Sequence, residues 1–149
     1  MVLTLENDAD TRRLGAALAA LLKPGDVVAL RGGLGAGKTT LTRGLVQSLA
    51  GSEEEVPSPT YTLVQQYDAP GFLLWHFDLY RLESPDDLHE LGWDETADGV
   101  VIIEWPDKAG LLLPRWRLDV TLEIDADRRQ VRLEPRGEDW QTRLDEFRF

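Results

Sequence analysis

The 149-residue chain is 42% hydrophobic and lacks cysteine, so it can bury one core as a single domain over residues 1–149 and cannot form disulfides or zinc–thiolate sites. Its net charge of −11 repels phosphate backbones, which argues against tight binding of nucleic acid by this chain alone. No apolar run approaches the roughly 18 residues of a membrane span, and the first residues lack the basic start of a secretion signal, so the sequence predicts a cytoplasmic protein without membrane contact.

The first elements alternate between strand and helix. Residues 2–5 predict a short strand, and Asn7 or Asp8 can cap a helix whose apolar residues recur at helical spacing. A continuous apolar run at 27–30 predicts a buried strand. A second helical pattern then continues to about Ala50, where Gly51 fits the C-terminal stop.

The segment between that strand and the second helix carries the strongest motif of the chain. Glycines there let backbone amides turn toward a phosphate without a Cβ in the way, and the helix adds its positive end. Lys38 supplies a compact charge for the outer phosphates, and Thr39 a hydroxyl for Mg²⁺. The strand–loop–helix order predicts a nucleoside triphosphate site on a segment that fits G-x-x-x-x-G-K-[ST]: Gly32-Gly33-Leu34-Gly35-Ala36-Gly37-Lys38-Thr39.

A hairpin is predicted soon after the phosphate-loop helix. Two prolines around Ser58 hold the backbone extended, and residues from Thr60 to Tyr67 have strand propensity. A turn at 68–71 leads to a second strand over 72–80. Alternation places His76 and Asp78 on one face of that strand and its apolar residues on the other. The pattern indicates an antiparallel hairpin inserted into the fold.

The remaining chain predicts further strands separated by short helical segments. Ser84 can cap a short helix that ends at Gly92, and the β-branched run 100–103 is typical of a strand buried on both faces of a parallel sheet. Residues 108–113 can form one or two helical turns. A second hairpin follows around the turn at 125–127, and the chain ends in an amphipathic helix with Trp140, Leu144 and Phe147 on one side.

Two carboxylates are candidates for the chemistry beyond the loop. Glu104 ends the apolar strand at the carboxyl edge of the sheet, where ligands bind in such folds. Asp78 shares a strand face with His76 and is a second candidate. All three residues have a plainer interpretation: Glu104 as a surface carboxylate, Asp78 as a salt-bridge partner of Arg81, and His76 as a structural histidine.

Two further residues are candidates on weaker grounds. Thr60 lies on a proline-stiffened loop after the phosphate-loop helix, so it could sense the γ-phosphate or its metal as switch loops do. A strand-favouring residue at a strand start explains it equally well. Trp105 follows Glu104 directly and would border the site.

Five segments together resemble the TsaE family, formerly YjeE, of small bacterial ATPases required to make threonylcarbamoyladenosine in tRNA. This chain departs from the family at one position, where many members carry aspartate and Gly33 stands here. The departure is minor because this position faces away from the loop's main task. The matching segments come in the family's order: Leu30 to Thr40, Ser58-Pro59-Thr60-Tyr61-Thr62-Leu63-Val64, His76-Phe77-Asp78-Leu79-Tyr80-Arg81-Leu82, Glu90-Leu91-Gly92 and Ile103-Glu104-Trp105-Pro106.

The resemblance implies a fold and a set of site residues. The fold would be an α/β P-loop NTPase-like three-layer sandwich with a mixed central sheet. Thr39 and Glu104 would hold Mg²⁺, Lys38, Glu104 and Asp78 would be catalytic, and the Ser58 to Thr62 loop would be switch-like, with Thr11 near the adenine. The ATP-binding set would be Gly32, Gly33, Leu34, Gly35, Ala36, Gly37, Lys38, Thr39, Thr40 and Thr11.

The resemblance also implies partners. The protein would bind and slowly hydrolyse ATP, and this turnover would reset the complex of TsaD and TsaB, so that it reaches tRNA only indirectly. No arginine near the motifs is an obvious arginine finger, which fits weak turnover until a partner docks. A small-molecule kinase and a nucleotide-binding regulatory module without hydrolysis are the alternatives. The segment from Glu83 to Asp98 is acidic, however, and lacks the arginine-rich lid of such kinases.

Overall fold

The computed structural model describes residues 1–149, and no helix in it has the length and hydropathy needed to cross a bilayer. Seven strands form one sheet. They are β1 Val2–Leu5, β2 Val27–Arg31, β3 Val64–Ala69, β4 Phe72–Asp78, β5 Val100–Glu104, β6 Arg117–Asp125 and β7 Arg128–Arg136. The helices are α1 Asp8–Ala19, α2 Lys38–Ala50 and α3 Glu138–Asp145, with 3₁₀ segments at Pro85–Leu91, Trp93–Glu95 and Pro106–Leu112.

The sheet is mixed, as predicted. Its strand order is β1-β7-β6-β2-β5-β4-β3. The four central strands β6, β2, β5 and β4 run parallel, whereas β3, β7 and β1 pair antiparallel with their neighbours. Because parallel strands end at one edge of the sheet, the residues that follow β2, β4 and β5 meet there.

The sheet carries a different layer on each face. The α-helices pack on one face, where the larger core combines Leu14 of α1, Leu45 of α2 and Trp140 of α3 with residues of all the inner strands. On the other face a smaller core joins Trp75 and other residues of β2, β4 and β5 to the 3₁₀ segments. No residue of β6 or β7 belongs to this second core, so the third layer covers only half of the sheet.

Helix α1 is fixed close to the phosphate loop by its cap and by two glycines. Asn7 caps the helix by accepting a 2.9 Å hydrogen bond from the Asp10 amide. A Cβ atom at Gly44 of α2 would lie 2.1 Å from the Arg12 carbonyl oxygen, and one at Gly15 of α1 would lie equally close to the backbone of α2. Only glycine permits this approach of the two helices.

The predicted strand from Thr60 is wrong in its first part. β3 begins at Val64, and the preceding residues form a turn in which Leu63 has a φ of 67°. The Leu63 amide donates a 2.6 Å hydrogen bond to the Pro59 carbonyl, and its own carbonyl accepts one from the Asp78 amide at 2.9 Å. The two prolines favour a loop that folds back toward β4, which outweighs the strand propensity of the threonines.

The second strand of that hairpin lies deeper than predicted. β4 ends at Asp78 instead of Tyr80, and it pairs in parallel with β5 inside the sheet. Both of its faces are therefore buried around His76, while Leu73, predicted on the apolar face, is 40% exposed near the start of the strand. The other predicted elements are confirmed, including the short helix that ends at Gly92 and the hairpin of β6 and β7, except that α3 ends at Asp145 and leaves Phe147 outside the helix.

Candidate functional site

The phosphate loop connects β2 to α2 in a conformation that needs glycine. Gly35 and Gly37 have φ angles of 81° and 106°, which residues with a Cβ rarely adopt. Gly37 is the N-cap of α2 and offers no side-chain hydrogen bond, and the first helical turn holds no acidic residue. The first amides of α2 are therefore left for an anionic ligand, with the positive end of the helix dipole behind them.

A cavity of about 360 Å³ opens over this loop. Loop residues form one wall, and the ends of β4 and β5 form the opposite wall together with the segment around Thr60. The structure thus brings together most of the predicted site residues. The lining consists of Asp8, Leu34, Gly35, Gly37, Lys38, Thr39, Thr40, Ser58, Thr60, Asp78, Glu104, Trp105 and Arg129.

Lys38 is a buried cation at the centre of this site. Its side chain is only 7% exposed, and Nζ lies 3.9 Å from Oε1 of Glu104. Burial lowers the pKa of the Lys38 ammonium, and the carboxylates of Glu104 and Asp78 offset part of that shift. A partly desolvated ammonium group interacts more strongly with phosphate than one in bulk water.

Trp105 covers Lys38 from the strand end. Its backbone adopts the left-handed conformation, with φ 55° and ψ 52°, directly after Glu104. The Lys38 Nζ atom lies 4.2 Å from the centre of the Trp105 ring, which also packs against Tyr80. A bulky residue in this conformation is uncommon and concentrates at functional sites. Here the turn places an aromatic face on the ammonium group, a favourable cation–π contact.

Glu104 and Asp78 stand side by side at the ends of adjacent strands. The β4–β5 register pairs the two residues directly, and both side chains are almost fully buried. His76 Nε2 lies 2.6 Å from Oε2 of Glu104. His76 is completely buried and does not line the cavity, whereas Asp78 does.

Asp78 is held by the loop before β3 instead of by an arginine. Its Oδ2 accepts a hydrogen bond of 3.1 Å from the Thr60 hydroxyl, and its Oδ1 accepts one of 3.0 Å from the Tyr80 amide. The Ser58 and Thr60 hydroxyls are 2.8 Å apart. Arg81 stacks on the Tyr61 ring, so the plain salt-bridge interpretation of Asp78 is wrong.

The donor set fits a Mg²⁺ ion that is bound together with a nucleotide. Thr39, Asp78 and Glu104 line one cavity, and Oε1 of Glu104 has only its contact with Lys38. No group of three or more His, Asp or Glu side chains forms a metal cage. Mg²⁺ usually keeps several waters and is held by one or two protein oxygens plus substrate phosphates, which matches this sparse set.

A model of the family described as threonylcarbamoyl adenosine biosynthesis protein TsaE matches residues 5–132. This chain belongs to the TsaE family. The resemblance drawn from its motifs is thereby confirmed, and the match extends beyond those motifs at both ends.

Relatives named tRNA threonylcarbamoyladenosine biosynthesis protein TsaE agree with this assignment. The Rickettsia felis protein is 40% identical over 124 residues, covering 83% of this chain and 72% of that protein. The Bacillus subtilis protein is 39% identical over 123 residues, covering 81% of this chain and 76% of that one. The crystal structure of Bacillus subtilis YdiB superposes with a TM-score of 0.81 at 29% identity, covering 99% of this chain and 93% of that one. The α/β fold is thus shared with a solved protein.

Several predicted residues of this TsaE-family site lie at its margins. Leu34 is exposed at the loop tip, and Gly33 has open space where a Cβ would stand, so an aspartate could be accommodated there. Thr11 is buried beneath the loop, where its methyl group faces Gly37, and its hydroxyl donates to the Asn7 carbonyl at 3.4 Å. Its place beside the adenine stays a prediction.

Arg129, like Asp8, lines the cavity but was not revealed by the motifs. It comes from the start of β7, and its guanidinium donates a hydrogen bond of 3.4 Å to the Gly35 carbonyl. It approaches from the β6–β7 side of the loop, whereas Glu104 approaches from the β5 side. The signal lay in topology: β6 runs parallel to β2, so the turn after β6 returns beside the phosphate loop.

Proposed function

We propose that this TsaE-family protein binds ATP with Mg²⁺, hydrolyses it slowly, and thereby resets the TsaD–TsaB complex that forms threonylcarbamoyladenosine beside the anticodon of tRNA. One observation carries the proposal: a single cavity gathers the phosphate loop, Lys38, Thr39, Asp78 and Glu104. Phosphoryl transfer depends chiefly on positioning and charge neutralisation, and these groups provide both.

The loop and Lys38 would bind the triphosphate. The free amides of the first turn of α2 would contact the phosphates, and the buried ammonium would lie on the outer ones. Thr39 and Glu104 would hold Mg²⁺, which when bound neutralises phosphate charge. Trp105 limits water access to Lys38 from one side.

Asp78 would orient the attacking water. It is the carboxylate beside Glu104 that faces the cavity, and two hydrogen bonds fix its orientation. His76 is a weaker candidate for this role because it lies behind Glu104 and has no exposed surface. A positioned carboxylate within reach of water is the usual arrangement for activating it.

Slow turnover and a need for partners follow from the distribution of cations. Lys38 is the one cation that lies between the loop and the carboxylates, and Arg129 approaches from the opposite side. Charge that develops on the transferred phosphoryl group would be only partly neutralised by this chain, since arginine fingers supply much of that stabilisation in related enzymes. The net charge of −11 supports action on a protein complex, with tRNA reached only through it.

The kinase alternative has less support. A kinase of small molecules needs an acceptor site and cationic side chains that close over it. No residue between Glu83 and Asp98 lines the cavity, and those residues form 3₁₀ segments that pack on the sheet through side chains such as Leu88. A nucleotide-dependent regulatory module would bind ATP at the same site without hydrolysing it. An assay of ATP hydrolysis therefore distinguishes this alternative from the proposed ATPase.

Hydrolysis of ATP by the purified chain, alone and with TsaD and TsaB, tests the proposal. Wild-type protein should release phosphate slowly in Mg²⁺ and faster with the partners. Lys38→Ala and Glu104→Gln should each lower the rate by about 100-fold or more, whereas Lys23→Ala, an exposed lysine remote from the site, should not. Binding without hydrolysis, even with both partners, would favour the regulatory module.

A further inference from the structure

Glu104 is contacted by a histidine that the cavity does not reach. His76 lies on β4, and its Nε2 atom is 2.6 Å from Oε2 of Glu104 across the β4–β5 pair. The histidine side chain has no exposed surface, and that of Glu104 is 4% exposed. His76 is therefore buried beside Glu104 and forms no part of the cavity surface.

The environment of the ring defines its hydrogen-bonding role. An ionised carboxylate only accepts hydrogen bonds, so the proton of the His76 ring belongs on Nε2. The other nitrogen, Nδ1, is buried without any hydrogen-bond partner. A polar atom left unpaired in a core is unfavourable, and an apolar side chain of similar size would avoid that penalty. What the histidine contributes is thus concentrated in the single bond to Glu104.

That bond divides the two oxygens of Glu104 between different tasks. Oε2 is occupied by His76, while Oε1 faces Lys38 Nζ at 3.9 Å on the cavity side. Rotation of the carboxylate would break the histidine contact and bury an unpaired oxygen. The orientation of the carboxylate is therefore fixed, with one oxygen on His76 and the other toward the cavity. Carboxylates that bind metals are commonly fixed by a second hydrogen-bonding group in this way.

We infer that His76 is a positioning residue that fixes Glu104 so that Oε1 meets the Mg²⁺ ion of bound Mg²⁺–ATP. This inference rests on the proposed function, because it concerns the metal that the nucleotide brings. It assigns His76 no contact with substrate. Its effect should appear in the metal-dependent part of nucleotide binding and leave the metal-free part unchanged.

The test is calorimetric titration of a non-hydrolysable ATP analogue in Mg²⁺ and in EDTA. His76→Leu removes the hydrogen-bond donor and fills the space with an apolar side chain of similar size. His76→Gln can present a donor near the original position of Nε2. The Leu variant should lose about 10- to 100-fold of affinity in Mg²⁺ and little in EDTA, and the Gln variant should recover most of the loss. His89→Gln, at the half-exposed second histidine, is the control.

Equal weakening of the Leu variant in Mg²⁺ and in EDTA would show a merely structural role and overturn the inference. Binding by the Leu variant that equals wild-type binding in both conditions would overturn it as well. Should that variant not fold, NMR of the wild-type protein decides, because the chain has only two histidines. Nitrogen-15 correlations should show a proton on Nε2 of His76, and an Nε2 atom without a proton would contradict the inference.

Failure of this inference is distinguishable from failure of the proposed function. Metal-dependent binding that is lost in the Leu variant, without hydrolysis by wild type, would leave the positioning role standing and remove the ATPase. Hydrolysis by wild type with unchanged metal dependence in the Leu variant would do the reverse. Wild-type binding with no response to Mg²⁺ would overturn both.

Discussion

The hydroxyl of Thr60 donates a 3.1 Å hydrogen bond to Oδ2 of Asp78. This bond ties the loop before β3 to the end of β4, and the Leu63 carbonyl adds a second tie by accepting from the Asp78 amide. The orientation of Asp78 is therefore linked to the position of the loop. A switch-like loop would need such a link to affect catalysis.

Thr60→Val should slow ATP hydrolysis by about 10-fold or more, because the valine keeps the shape of threonine but cannot hold Asp78. The free energy of unfolding in urea should change little, since Thr60 is partly exposed. Thr62→Val is the matched control, as Thr62 bonds only Gln65 and lies outside the cavity. Equal rates for wild type and Thr60→Val would show that Asp78 does not depend on this bond.

Arg129→Ala should weaken the binding of ADP and ATP by the same factor, about 10-fold, which is the loss of one hydrogen bond to a charged group. The factor should be equal because Arg129 approaches on the side away from Glu104 and the metal, where the nucleoside or first phosphate would lie. Titration calorimetry with both nucleotides measures it. Arg132→Ala, an exposed arginine farther along β7, should bind normally. A loss confined to ATP would place Arg129 at the γ-phosphate instead.

The phosphate loop and β5 could be predicted from the sequence because local patterns determine them. Glycines before Lys38 and four consecutive β-branched residues each have few alternative structures. Arg129 could not be found this way, since it follows Gly35 by 94 residues and only the β6–β7 hairpin brings it back. The contact between His76 and Glu104 likewise depends on β4 lying beside β5, which no single segment encodes.

The turn at residues 60–63 shows where local patterns fail. Thr60 and Thr62 favour a strand by propensity, yet Leu63 adopts a positive φ and the chain folds back toward Asp78. Strand propensity largely measures how well side chains fit a half-buried pleated surface. Tyr61, which is 83% exposed, has no such surface to cover. Contacts at the site therefore outweigh propensity in this segment.

Asp119→Asn should destabilise the fold by about 1 to 3 kcal/mol, because the buried carboxylate accepts charge-assisted hydrogen bonds from three arginines that are themselves partly exposed. The buried Asp119 carboxylate accepts from Arg31, Arg117 and Arg136 at 2.7, 2.9 and 2.8 Å. Urea unfolding at pH 7 measures the loss. Asp127→Asn, in the exposed turn after β6, is the control and should change little.

The effect of Asp119 should also depend on pH. Burial alone would raise the pKa of Asp119, but the hydrogen bonds from Arg136, Arg31 and Arg117 outweigh it and lower the pKa. A depressed folded-state pKa stabilises the protein above the ordinary value of about 3.9. The contribution is lost as pH falls through the folded-state value. The difference between wild type and Asp119→Asn should thus be full at pH 7 and shrink below about pH 4; a difference independent of pH would contradict this assignment.

Gly44→Ala should destabilise the protein by about 3 kcal/mol, since the added methyl would force apart α1 and α2 against the Arg12 carbonyl. Gly33→Ala is a matched control in the phosphate loop, because a Cβ there meets nothing within 4 Å, and it should shift stability by less than about 0.5 kcal/mol. Thermal unfolding compares the two. Similar melting temperatures would mean that the helices do not pack this closely in solution.

Titration of ATP into the purified chain, with and without Mg²⁺, measures whether the cavity over the phosphate loop binds a nucleotide. We expect saturable binding of one nucleotide per chain, tighter in Mg²⁺ and weakened by about 10-fold or more in Lys38→Ala. Absence of measurable affinity for ATP under both conditions, in a chain shown to be folded, would contradict it.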